Sequence, residues 1–231
     1  MPAGPGTGAV ADGGSLGGRL ESIRAELPAG VTLIVVTKFH PAPLVRELAA
    51  LGVRDVGESR HQEAAPKAAE LAGLGLRWHF IGQLQSNKAK AVRGYASVLH
   101  SLDRLSLLDA LADPEAEPIE AFVQVNLTDD PARGGVAPAD LAAFAERALG
   151  TPGVRLAGLM AVAGLGADPA REFARVRELR DRVLLPVAPH ATGLSMGMSG
   201  DWREAIREGA THLRIGTAIT GNRPDPAYAR T

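Results

Sequence analysis

The sequence predicts an α/β protein whose single domain closes as a (β/α)8 barrel, and three observations carry that prediction. Short apolar, β-branched runs alternate with helix-like runs along the chain, the pattern of parallel βα units. Eight such units fit into 231 residues, and a closed barrel of this kind needs about 200 or more. No linker-like segment interrupts the chain after Gly18. A doubly wound open sheet is the competing architecture, and eight regular repeats favour closure.

The first 18 residues, rich in glycine and containing proline, read as a flexible tail, and residues 19–231 as the barrel. Residues 31–37 are an apolar stretch fit for a buried parallel strand, stopped by Pro41. Residues 43–50 follow as a helix, with Gly52 where a C′ glycine belongs. The second strand is 53–57 with helix 59–71, and the third is 77–81 with its helix at 87–93. Strands at 97–100 and 119–125 are each trailed by helix. The sixth, 154–160, precedes a long helix from about 169 to 185. Residues 192–195 and 212–215 complete the eight. Trp78, Phe80 and the leucines and alanines of the helices are assigned to the core.

Composition narrows the function classes. A net charge of −1 gives no reason to expect wholesale binding to nucleic acid or to an anionic membrane. The chain has no cysteine, hence neither disulfides nor a thiolate metal site. No apolar run approaches the roughly 18 residues of a transmembrane helix, and the amino terminus lacks the regions of a signal peptide, so a cytoplasmic location is expected. Lys88, Lys90 and Arg93 could form a basic surface for nucleic acid, but a solvated helix face explains them as well.

Lysine is scarce: of 25 basic residues only Lys38, Lys67, Lys88 and Lys90 are lysine. Lys38 stands at the carboxyl end of the first strand, where an amine can be desolvated and made nucleophilic towards aldehydes and ketones. Arginine has no such chemistry, although a solvated lysine capping a strand fits the segment too. The loops after strands seven and eight, Ser195 to Asp201 and Gly216 to Gly221, carry glycines and hydroxyls suited to phosphate. Read blandly they are turns, with Ser199 capping the next helix. In a closed barrel strand eight lies beside strand one, which brings this cradle next to Lys38. A phosphorylated aldehyde or ketone held as a Schiff base is the joint reading. Alternation on strand eight places His212, Arg214 and Gly216 on one face. A buried Arg214 needs a polar partner, either the barrel mouth or a carboxylate such as Glu58.

Several motifs stand in order: Thr37-Lys38, Val56-Gly-Glu-Ser-Arg60, Trp78-His-Phe-Ile-Gly-Gln-Leu-Gln-Ser-Asn-Lys88, Ser101-Leu-Asp-Arg104, Gly158-Leu-Met160, Leu194-Ser-Met-Gly-Met-Ser199 and Arg214-Ile-Gly-Thr-Ala-Ile219. Together they resemble the pyridoxal phosphate homeostasis protein family from about Val31 to Gly221. The resemblance implies a barrel like the alanine racemase N-terminal domain. It further implies pyridoxal 5′-phosphate bound as an aldimine on Lys38, Arg214 facing the pyridine nitrogen, and Ser199, Gly216 and Thr217 on the phosphate, with Ser195 and Ser59 also lining the cofactor site. Three positions depart from the family pattern. Ser59 stands for the usual Asn, Arg133 for a Lys, and Thr220 for an aromatic residue.

An arginine at the pyridine nitrogen keeps that nitrogen unprotonated and weakens the ring as an electron sink. A racemase or transaminase also needs a second acid or base. Tyr95 and Tyr228 sit away from the expected mouth, and His79 reads equally as a packed barrel residue. The function expected is a non-enzymatic carrier and buffer of the cofactor that takes part in vitamin B6 and amino-acid homeostasis. It would be a monomer, with cofactor-dependent apoenzymes as possible recipients. The alternative is a cofactor-dependent racemase or lyase, or an aldolase using Lys38.

Overall fold

A computed structural model of the chain describes residues 14–128, 133–164 and 166–222. Within them eight strands, β1 (Thr32–Val36), β2 (Asp55–Glu58), β3 (Arg77–Phe80), β4 (Val98–Leu102), β5 (Ile119–Gln124), β6 (Val154–Met160), β7 (Gly193–Ser195) and β8 (His212–Ile215), close in sequence order into a barrel. All neighbours are parallel, and β8 returns to β1 with Ile34 opposite Arg214 and Val35 opposite Ile215. Parallel strands need crossovers, and the helices supply them. These are α2 (Ala42–Ala50), α3 (His61–Glu70), α4 (Ala89–Arg93), α5 (Leu105–Leu111), α6 (Leu141–Leu149), α7 (Pro169–Leu179), α8 (Leu185–Val187) and α9 (Trp202–Arg207), with α10 (Thr217–Thr220) after β8. The helix expected at 169–185 is continued by a π-helical turn, Arg180–Leu184, into α8.

Residue alternation divides the core into two layers. Val35, Val56, Trp78, Leu99, Val123, Leu159, Leu194 and Leu213 point outward and pack against the helices in one continuous cluster. Each fully buried leucine or valine of that layer contributes about 1.5–3 kcal/mol of transfer free energy. The inward layer is different. Its apolar part includes Ile34 and Val36 of β1 and the cluster of Val98, Phe122 and Met160, and polar side chains fill much of the remaining interior. His79, His100, Ser195 and Arg214 are all buried. Barrel interiors are usually dominated by bulky aliphatic side chains, so this interior is the unusual part of the molecule.

The tail boundary expected at Gly18 is corrected. A further helix, α1 (Leu16–Arg24), begins before it, with Ser15 Oγ accepting the Gly18 N–H at 3.1 Å as its cap. Leu16, Leu20 and Ile23 are buried, and Arg19 Nε donates to the Ile219 carbonyl at 2.7 Å. Tertiary packing here outweighs the helix cost of Gly17 and Gly18, about 1 kcal/mol each. Residues 1–13 of the expected tail, and Tyr228, lie outside the described residues.

Candidate active site at the carboxyl mouth of the barrel

Lys38 follows β1 by two residues and is partly buried. Its neighbours on both sides are fixed. Before it, the Thr37 carbonyl accepts from Lys67 Nζ at 3.1 Å, and Thr37 Oγ1 donates to Glu58 Oε1 at 2.7 Å. After it, Phe39 has a φ of 68°, a left-handed conformation that a bulky residue adopts only under constraint. Its N–H donates to Glu63 Oε2 at 3.0 Å, and the Arg60 guanidinium lies 4.8 Å from its ring centre. The Lys38 turn is therefore held by α3 on one side and by β2 on the other.

Lys67 and Glu58 form a buried ion pair of 2.7 Å, with side-chain exposures of 11% and 1%. Burial pushes the Glu58 carboxyl up, against the opposing pull of Lys67. Glu58 thus serves the Lys38 turn and does not pair with Arg214, contrary to the carboxylate partner entertained from sequence. The reason is strand alternation. Val56 and Glu58 share the outward face of β2, whereas Arg214 points inward.

Arg214, 4% exposed, donates from Nη1 to Ser195 Oγ at 2.6 Å and from Nη2 to the Ala161 carbonyl at 2.9 Å. Among the described residues these are its side-chain bonds, and a guanidinium has five N–H donors. Burial brings its pKa down to about 10, with Asp201 acting the other way, so it remains a cation at neutral pH. Ser195 is wholly buried beneath Arg214 and also meets His100 Nδ1 at 2.7 Å. It reaches the mouth through Arg214.

The loops after β7 and β8 are joined. Ser199 Oγ accepts the Ala218 N–H at 3.3 Å, tying the first loop to α10. The capping role read for Ser199 is corrected: Asp201 occupies the N-cap of α9, its Oδ1 accepting the Met198 N–H at 2.6 Å. Gly197 must be glycine, since its φ is 93° and a Cβ would stand 2.7 Å from that of Ala205. At Gly216 a Cβ would fill the space 3.4 Å from Val36 Cβ, so the missing side chain leaves room beside β1. The register of β1 and β8 puts Lys38, Arg214, Gly216 and Thr217 at one mouth, with Ser199 joined to them through Ala218. Ser59 lies on the loop after β2, where its carbonyl would collide with a Cβ on Gly82.

Of the departures, Thr220 is buried and donates to the Gly216 carbonyl at 3.2 Å, so its hydroxyl closes the turn of α10. Arg133 precedes Gly134 and Gly135, with φ of 67° and 104°, and its Nη1 lies 3.5 Å from where a Cβ on Gly164 would be. His79 is the packed barrel residue of the two readings offered for it: Nε2 meets Asp55 Oδ1 and Nδ1 meets His100 Nε2, each at 2.9 Å. Tyr95 stacks on His61 at 5.8 Å, and burial, helped by Glu58, pushes its phenol up and keeps it protonated. The sequence reading missed the involvement of Asp55, His100 and Lys67. For Asp55 and His100 the signal was a polar residue at a strand position otherwise reserved for aliphatic ones; Lys67, on α3, carried no such signal.

Among known proteins, the alanine racemase N-terminal domain family matches residues 12–224. A Pseudomonas aeruginosa pyridoxal phosphate homeostasis protein is 45% identical over 202 residues, covering 85% of this chain and 86% of that one. The Escherichia coli K12 protein of the same name is 37% identical over 204 residues, with coverages of 85% and 87%. The structure of PipY from Synechococcus elongatus PCC7942, solved with PLP bound, is 39% identical and superposes with a TM-score of 0.83 over 90% of this chain and all of that one. Alanine racemase from Corynebacterium glutamicum, 15% identical with a TM-score of 0.67, shares the fold, and the match spans 57% of its length.

Proposed function

The chain belongs to the pyridoxal phosphate homeostasis protein family, and from that premise we propose that it binds pyridoxal 5′-phosphate and acts as its intracellular carrier and buffer. The observation that supports the reading is the pairing of β1 with β8, which brings the strand ends that lead into Lys38 and into Gly216-Thr217 to one mouth of the barrel, with Arg214 on the inward face of β8. The donor set fits the group: a primary amine for an aldehyde, a guanidinium for a ring nitrogen, and hydroxyls with an open glycine position for a phosphate. When bound, the cofactor supplies an electrophilic aldehyde and a conjugated ring able to accept electrons.

Lys38 is the covalent anchor, carried on a turn constrained by α3 and β2. Arg214 donates to the ring nitrogen and, as a cation, opposes its protonation, which weakens the ring as an electron sink. Ser199, Gly216 and Thr217 hold the phosphate. Ser195 acts through Arg214, and Ser59 closes the β2 side of the site. No catalytic turnover belongs to this reading. The imidazoles of His79 and His100 are committed to bonds inside the barrel, and the Tyr95 phenol stays protonated. The same reading has the protein work in the cytoplasm as a monomer that hands cofactor to dependent apoenzymes. Among the described residues no helix is long and apolar enough to cross a membrane.

The test is borohydride reduction of the loaded protein followed by peptide mass spectrometry. The pyridoxyl group is expected on Lys38, and Lys38→Ala is expected to lose the visible absorbance while keeping its unfolding transition. A pyridoxyl adduct of equal yield on another lysine in Lys38→Ala would overturn the assignment.

A further inference from the structure

We infer that Asp55, His79, His100 and Ser195 are positioning residues for Arg214, linked as a one-directional hydrogen-bond chain that crosses the barrel interior from the amino end of the strands. The inference rests on the proposed placement of Arg214 against a ring nitrogen. The chain begins at Asp55 Oδ1, passes to His79 Nε2 at 2.9 Å, and from His79 Nδ1 to His100 Nε2 at 2.9 Å. It continues from His100 Nδ1 to Ser195 Oγ at 2.7 Å and ends on Arg214 Nη1 at 2.6 Å. These residues come from β2, β3, β4, β7 and β8, so the chain spans the interior from wall to wall.

The direction of every link follows from donor chemistry. An ionised carboxylate only accepts and a guanidinium only donates. Arg214 therefore donates to Ser195, whose single proton is free to go to His100 Nδ1. His100 then carries its proton on Nε2 and donates to His79 Nδ1. His79 in turn carries its proton on Nε2 and donates to Asp55. Each donor meets one acceptor, and both imidazoles are neutral. A proton added to His79 would reverse its link to His100 and leave the Ser195 hydroxyl proton without that acceptor. The surroundings favour the neutral state: burial lowers His79 and lowers His100 well below the usual imidazole range.

The groups packed around the chain agree with this arrangement. Phe122 stacks on His100 at 4.8 Å, and His212 meets both rings edge-on, its own pKa brought down to about 4 by burial. Arg77, which pairs with Glu120, stands near Asp55. At Asp55 itself burial pushes the carboxyl up, but the His79 bond and the neighbouring positive charges outweigh it and leave it below the usual range. The two ends of the chain thus carry opposite charges, with neutral links between. Arg214 is held laterally by the Ala161 carbonyl and lengthwise by a carboxylate anchored at the far end of the barrel.

The experiment has one arm that needs no cofactor. Nitrogen-15 NMR of the imidazoles in the unloaded protein is expected to show His79 and His100 as neutral, Nε2-protonated tautomers at pH 7, with slowly exchanging Nε2 protons. An Nδ1-protonated or cationic ring at either position overturns the chain. In the second arm, His100→Phe keeps a ring stacked on Phe122 but cuts the chain, and Ser195→Ala cuts it with little change of volume. Each is expected to weaken retention of pyridoxal 5′-phosphate by about tenfold, the loss of one hydrogen bond to a charged group. Neither should weaken retention of 1-deazapyridoxal 5′-phosphate, which lacks the ring nitrogen. Equal weakening for both ligands, or none for either, removes the positioning role. A wild-type protein that takes up no cofactor sinks the functional reading and the positioning role with it, while the tautomers still report the chain.

Discussion

Replacing Lys67 by methionine removes the cation from the buried pair that holds the Lys38 turn, while keeping an unbranched stem of similar length. Glu58 would be left 99% buried with Thr37 Oγ1 as its remaining donor, and the Thr37 carbonyl would keep only the His40 N–H of its two donors. Breaking a buried pair from one side costs about 3–5 kcal/mol, because the other charge stays desolvated. About 3 kcal/mol is expected at pH 7.5, a drop of roughly 6–12 °C in Tm for a domain of this size. The penalty must depend on pH. Glu58 has a folded-state pKa raised above its unfolded value, so its contribution is full below the ordinary carboxylate range and is lost as pH rises through the raised value. Removing Lys67 takes away the charge that restrains this rise. The variant should therefore lose much less stability at pH 5, where Glu58 is able to take up a proton, than at pH 7.5. Urea unfolding at the two pH values measures the difference, and adding Glu58→Gln, which relieves the buried charge, should recover most of the loss at pH 7.5. A penalty equal at both pH values, or a double variant less stable than Lys67→Met, would refute the reasoning.

Two further predictions concern the cofactor. Thr217→Val should weaken retention of pyridoxal 5′-phosphate by about 10- to 100-fold, the range for one hydrogen bond to a charged group, and should leave pyridoxal binding unchanged; equal losses in a fluorescence titration with both ligands would place Thr217 in a structural role. The loaded protein should show no enzyme-like exchange of the α-proton of alanine, serine or lysine in deuterated buffer by NMR, and Arg214→Glu should raise any residual rate by allowing the ring nitrogen to be protonated. Wild-type exchange in the range of about 1–10³ s⁻¹ would instead support the racemase or lyase alternative.

What the sequence made legible, and what it did not, divides along the two faces of the strands. Eight apolar runs and the glycines and prolines between them specify the outward layer, because burial against helices imposes a simple pattern of aliphatic residues. Closure then follows from counting, and closure alone sets β8 beside β1 and hence the strand end that leads into Gly216-Thr217 beside the one that leads into Lys38. The pairing of Glu58 was misread because alternation was applied to β8 but not to β2. Carried through both strands, it sends Glu58 outward to Lys67 and leaves Arg214 facing in. The interior chain was hidden for a different reason. Asp55, His79 and His100 lie on neighbouring strands, but Ser195 lies across the barrel from His100, and a contact of that kind depends on the stagger of the closed sheet. No spacing along the chain encodes that stagger. An interior that spends its volume on Asp55, His79, His100, Ser195 and Arg214 forgoes the aliphatic packing that would stabilise a barrel of this size at least as well. The compensation is a guanidinium held in one place and one charge state. That property has no value to the fold itself, and it gains its meaning from whatever ring nitrogen Arg214 faces.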